Sequence, residues 1–221
     1  MEEHYLLDIS GYGDENGRVR VCYYLMTLAM TWLSVGILPM PVAAGSGVDK
    51  LRPAAELGDA EAQFRLAECY RWGQGVKQSY DEAAMWYLEA AKQGYASAQK
   101  ALSECYEQGL GVPQSQAEAC EWCRKAAEQG LAEAQNAMAF YYFLGKGLAK
   151  NPAEATRLWR AAAEQQIPEA IYALALCYLD GTGVPRSEDE ARSLLTQAAK
   201  LGYEKAAETL RELETASPKA P

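Results

Sequence analysis

Three short motifs in this chain have the residue types and spacing of catalytic groups. Cys120-Glu-Trp-Cys123 is a Cys-x-x-Cys, the spacing of a dithiol redox pair. That chemistry needs the motif at a helix N-terminus beside a βαβ unit, where a thiol pKa is lowered. Ser97-Ala-Gln-Lys100 has the Ser-x-x-Lys spacing of penicillin-interacting enzymes, but their Ser-Asp-Asn and Lys-Thr-Gly partner motifs are absent. Gly73-Gln-Gly75 and three later Gly-x-Gly stretches could cradle a phosphate only if a strand led into them. The one histidine, His4, lies in a segment expected to be removed. What remains has no Ser-His or Cys-His nucleophile pair and no His-ligated zinc site.

The elements that must carry these motifs are set by a repeat. Tyr-x-x-Gly-x-Gly-[Val/Leu] starts at Tyr70, Tyr106, Tyr142 and Tyr178, always 36 residues apart. Other columns keep the same register without a gap, among them Ala62/Ala98/Ala134/Ala170, Leu66/Leu102/Met138/Leu174 and Glu82/Glu118/Glu154/Glu190. Full units run 58–93, 94–129, 130–165 and 166–201, with a half unit at 202–214 and a partial repeat cap at 45–57; residues 215–221 are expected to be a disordered tail.

Within a unit, small or apolar residues such as Ala62, Leu66, Ala67 and Tyr70 mark one face of a first helix, which paired glycines stop. The second helix opens on Ser79-x-x-Glu82, Ser115-x-x-Glu118, Asn151-Pro-x-Glu154 or Ser187-x-x-Glu190. These are reciprocal capping boxes, in which the cap side chain accepts from an orphan N–H and the Glu returns to the cap's own N–H. A helix hairpin of this kind cannot bury its stripe alone. The fold class is therefore all-α, a right-handed α-solenoid in which neighbours create the core. A helix precedes every Gly-x-Gly, so these are turns and not phosphate loops. Cys-x-x-Cys falls inside a second helix, and Ser97/Lys100 on a helix surface.

With these columns aligned, the unit "AEAQFRLAECYRWGQGVKQSYDEAAMWYLEAAKQG" resembles the Sel-one-like repeat, a relative of the tetratricopeptide repeat. The match covers about residues 53 to 214. It departs where a Gly becomes Ala67, Ser103, Ala139 or Ala175, and where a Trp becomes Leu158 or Leu194. The resemblance implies scaffold or adaptor work in bacterial envelopes or the eukaryotic secretory pathway, with no enzyme activity and no cofactor. The alternative is an enzyme of the family's cysteine-rich branch, either a β-lactamase-like hydrolase or a thiol redox protein. That branch carries one disulfide per repeat. Here five cysteines follow residue 44, three of them (Cys69, Cys105 and Cys177) in one column. Buried thiols acting as small hydrophobes are the expectation, with Cys105–Cys120 as the disulfide to test.

Residues 21–38 carry no charge, follow Arg18 and Arg20, and lead into Pro39, Pro41 and Val42-Ala43-Ala44. Residues 1–44 are expected to form a secretory signal with an acidic leader. An uncleaved membrane anchor and a buried helix are the alternatives, and translation starting near Val19 would account for the leader. Without those 44 residues the chain keeps 25 acids and 19 bases, a poor balance for nucleic-acid binding.

First helices line the concave side of such solenoids. The positions off the packing stripe, expected to face a protein or peptide partner, are Phe64, Glu68, Arg71, Trp72, Lys100, Glu104, Glu107, Asn136, Phe140, Phe143, Tyr172, Leu176 and Leu179. They run from charged to apolar along the array. The apolar end, centred on Phe140 and Phe143, is expected to be an exposed aromatic patch.

Overall fold

A computed structural model describes residues 47–216. The expected signal segment and the tail beyond residue 216 lie outside the described residues. Ten helices and no strand occur among those described. The first helix of each unit is α2 (Ala60–Trp72), α4 (Ala96–Gln108), α6 (Ala132–Leu144) and α8 (Pro168–Asp180). The second helices are α3 (Tyr80–Lys92), α5 (Gln116–Glu128), α7 (Pro152–Glu164) and α9 (Glu188–Lys200). A lone second helix, α1 (Val48–Glu56), precedes them, and a lone first helix, α10 (Glu204–Ala216), follows. Each helix packs on its chain neighbours, which makes the array an α-solenoid.

Alanine lets the two helices of a unit approach closely. Ala90, Ala126, Ala162 and Ala198 have no exposed surface, and Leu66, Leu102 and Met138 are buried beneath them. The expected caps are half realised. Ser79 Oγ accepts from the Glu82 N–H, and Asn151 Oδ1 from the Glu154 N–H (3.2 Å). The Glu does not return the bond. The cap's own N–H instead donates to the carbonyl of the tyrosine that opens the turn: Ser115 to Tyr106 (2.9 Å), Asn151 to Tyr142 (2.8 Å). The last turn of a first helix has orphan carbonyls, and this bond satisfies one of them while tying the hairpin shut. The freed Glu154 carboxylate pairs with Arg157.

The two glycines of each turn do different work. Gly109 ends α4 in the left-handed region at φ 72°. Gly111, at φ 69°, also lies against the start of the previous unit's second helix, where an added Cβ would sit 2.0 Å from the Tyr80 carbonyl oxygen. The turn is thus a docking point between units as well as a helix stop.

Candidate functional site

The first-helix positions expected to face the groove fall into two sets. In units one and two they form a half-buried polar network. Glu68 accepts from the Tyr87 hydroxyl on one oxygen and from Trp72 Nε1 on the other (2.9 Å). Glu104 accepts from Arg71 Nη1 (2.9 Å) and pairs with Lys100. Glu107 accepts from the Tyr141 hydroxyl (3.0 Å) and pairs with Lys146. Every oxygen of the three carboxylates therefore has a donor. Three of these links cross between units: Arg71 in α2 reaches Glu104 in α4, and Glu107 in α4 reaches both Tyr141 in α6 and Lys146 in the turn after it.

The electrostatics follow from burial set against pairing. Burial alone would push the Glu104 carboxyl up, but Lys100 and then Arg71 outweigh it and hold it below the ordinary range. Burial would likewise lower the Arg71 guanidinium, and Glu104 followed by Tyr87 raises it instead. The Tyr87 phenol is driven up by burial first and by Glu68 second.

In units three and four the same columns are closed. Phe140 packs edge-on against Trp159 with ring centroids 5.1 Å apart, and Phe143 lies 5.4 Å from the same indole. Tyr172 lies tilted against Tyr203 with ring centroids 5.1 Å apart, and its hydroxyl lies 3.3 Å from Thr209 Oγ1. Asn136, Phe140, Phe143, Tyr172 and Leu176 are buried and Leu179 is half-buried, so the expected exposed aromatic patch is not there. The glutamates in the equivalent columns are drawn in as well, with their oxygens satisfied. Phe64 is also drawn inward, against Tyr87 and Tyr95.

One predicted position stays open. Trp72 is 47% exposed. Its ring is held by the Glu68 hydrogen bond and by the Arg71 guanidinium, 5.0 Å from the ring centroid. Tyr87, Tyr141 and Lys146 complete the network and were not among the predicted residues. The signal for Tyr87 was in the alignment: Glu68 and Tyr87 stand in the columns of Phe140 and Trp159, so a polar pair replaces an aromatic one.

The catalytic motifs are placed as expected. Cys120 and Cys123 lie in the middle of α5, and all five described cysteines are free and buried. Burial above all pushes the Cys123 thiol up to about 12, the opposite of an activated nucleophile. Cys105 and Cys120 are not bonded. Cys105 sits in the field of Arg71 and Glu68 of the first unit, whereas Cys120 meets Gly147 in the third. They look out from opposite sides of unit two. The Lys100 ammonium is committed to Glu104. Among the described residues no group of three or more His, Cys, Asp or Glu could hold a metal.

The Sel1 repeat model matches residues 60–95, 96–131, 132–166 and 168–203. The chain belongs to the Sel1 repeat family. It is similar to a protective antigen of uropathogenic Escherichia coli with an SLR fold, at 34% identity and a TM-score of 0.73 over 75% of this chain and 36% of that one. It is also similar to a Sel1 repeat protein from Oxalobacter formigenes, at 36% identity and a TM-score of 0.70 over 75% of this chain and 48% of the other. This Sel1 repeat chain therefore spans less than half the length of either relative. No curated protein matches it. Sel1 repeats are a scaffold fold for protein–protein interaction and are generally non-catalytic.

Proposed function

We propose that this Sel1 repeat protein is a non-enzymatic adaptor of the secretory or bacterial envelope compartment, holding a partner protein or peptide on the face formed by its first helices. Trp72 carries the reading. It is a large amphipathic ring left half in solvent, yet fixed in orientation by Glu68 and Arg71. Pre-ordered aromatic anchors of this kind dominate protein interfaces, because little conformational freedom is lost when a partner covers them. The compartment rests on the apolar segment at 21–38 and the small residues that follow it.

The test is affinity capture from an envelope extract, with the full chain run beside Trp72→Ala and both baits first shown to melt alike. A protein retained by the parent and lost by the variant supports the adaptor reading. Identical captures, or none, remove Trp72 as the anchor. Intact mass of the exported protein decides its attachment: loss of about 44 residues gives a released adaptor, and an intact N-terminus gives an anchored one.

A further inference from the structure

Two first-helix columns of the described array are ionic in one half and apolar in the other. The columns that hold Glu68, Arg71, Glu104 and Glu107 in units one and two hold Phe140, Phe143, Leu176 and Leu179 in units three and four. The network also includes the links between units, Arg71 to Glu104 and Glu107 to Tyr141 and Lys146. In a solenoid, stability is a sum of unit and nearest-neighbour terms, so a change confined to one set of links acts locally.

We propose that the array is a pH-split solenoid: acid loosens units one and two at their carboxylate-held seams while units three and four stay folded. The charged and titratable groups around the central carboxylate, Glu104, come from each neighbouring element. Lys100 and Cys105 lie on its own helix α4 and Arg71 on α2; Glu68 on α2 and Tyr87 on α3 face Arg71 and Cys105 in turn, while Cys123 on α5 and Tyr141 on α6 face Lys100 and Glu107 at the next seam. Protonating Glu104 removes the charge that Lys100 and Arg71 both face and leaves two half-buried cations against each other. Glu68 and Glu107 carry the rest of the network, to Tyr87 and Trp72 and to Tyr141 and Lys146. Nothing equivalent happens around Trp159, where Phe140 and Phe143 supply the contacts.

The sign follows from the direction of the Glu104 shift. A carboxyl held below its ordinary value contributes stability that is full above the unfolded pKa, and that stability is lost as pH falls through the folded one. The window lies below about pH 4.3, the ordinary glutamate value.

Hydrogen exchange on the full chain, read helix by helix and expressed against the unfolded-chain rate at each pH, tests this. From pH 7 to pH 2.5, α2 and α4 should lose about fivefold or more in protection while α6 to α9 change by less than about threefold. Glu104→Gln with Glu107→Gln should show the loosened first half already at pH 7 and respond less to acid. Should that double variant fail to fold, Arg71→Lys gives a milder version, weakening the link to Glu104 while keeping the charge. Loss of protection by all helices together, or by α6 to α9 first, overturns the proposal. If Trp72 is the partner anchor, the same event would release the partner, but the exchange result does not depend on that.

Discussion

Glu68 and Phe140 stand in one column two units apart, and both turn toward the second helix of their own unit. Glu68 accepts from Tyr87; Phe140 packs on Trp159. Sequence logic treats a glutamate as a mark of solvent, because a buried charge without partners costs several kcal/mol. That logic leaves Phe140 and Phe143 in an exposed patch, where the structure buries them, because it reads one column at a time. The partners of a first-helix residue lie 19 positions on, and only the pair of columns shows that Glu goes with Tyr and Phe with Trp. Phe140 and Trp72 should therefore behave oppositely on truncation. Phe140→Ala leaves a cavity beside Trp159 and should cost about 3–4 kcal/mol in a urea titration. Trp72→Ala should stay within about 0.5 kcal/mol of the parent, apart from the hydrogen bond it surrenders. Similar losses for both would mean that Trp72 is packing and not an anchor.

At the scale of the element, the helices were legible because the signals at their ends are local. The face marked by Ala62, Leu66, Ala67 and Tyr70 lies on the observed α2, and the four Ser or Asn caps start α3, α5, α7 and α9. The reciprocal bond from the capping Glu was not legible, because the competing acceptor, the tyrosine carbonyl, belongs to the preceding helix and arrives only when the hairpin closes. The second glycine of each turn is a similar case. Its positive φ was foreseeable, but its contact with the neighbouring unit was not. Two glycines separate the effects. Gly111→Ala must meet both the left-handed backbone and the Tyr80 carbonyl, and should cost about 3 kcal/mol or more. Gly130→Ala has the same backbone problem at φ 87° with open space around the Cβ, and should cost about 1 kcal/mol. Equal costs from chemical denaturation would show that the turn does not bear on its neighbour.

At the scale of the whole molecule, the two ends of the pH range act on different parts of it. Acid addresses the half-buried Glu104 at the seam between units one and two. Alkali addresses the thiols, which are spread through the array. Burial first of all pushes Cys105 up to about 11 in unit two, Cys123 to about 12 in the same unit, and Cys177 to about 12 in unit four. In the unfolded chain these thiols ionise near 8.5. Between the two values the unfolded chain binds fewer protons than the folded one, so stability is full below about pH 8.5 and falls as pH rises through the folded values. At pH 10 the loss should be about 2 kcal/mol for each of the three thiols. Because the thiols sit in both halves, unfolding in alkali should engage the array as a unit instead of starting at one end. Melting at pH 7.5 and pH 10 checks this. The parent should lose far more Tm over that interval than a Cys105→Ala/Cys123→Ala/Cys177→Ala variant, even though the variant starts lower because of its cavities. Parallel pH slopes for the two proteins would place the alkaline limb on the tyrosines instead, where Tyr203, also raised chiefly by burial to about 12, would be the next group to replace.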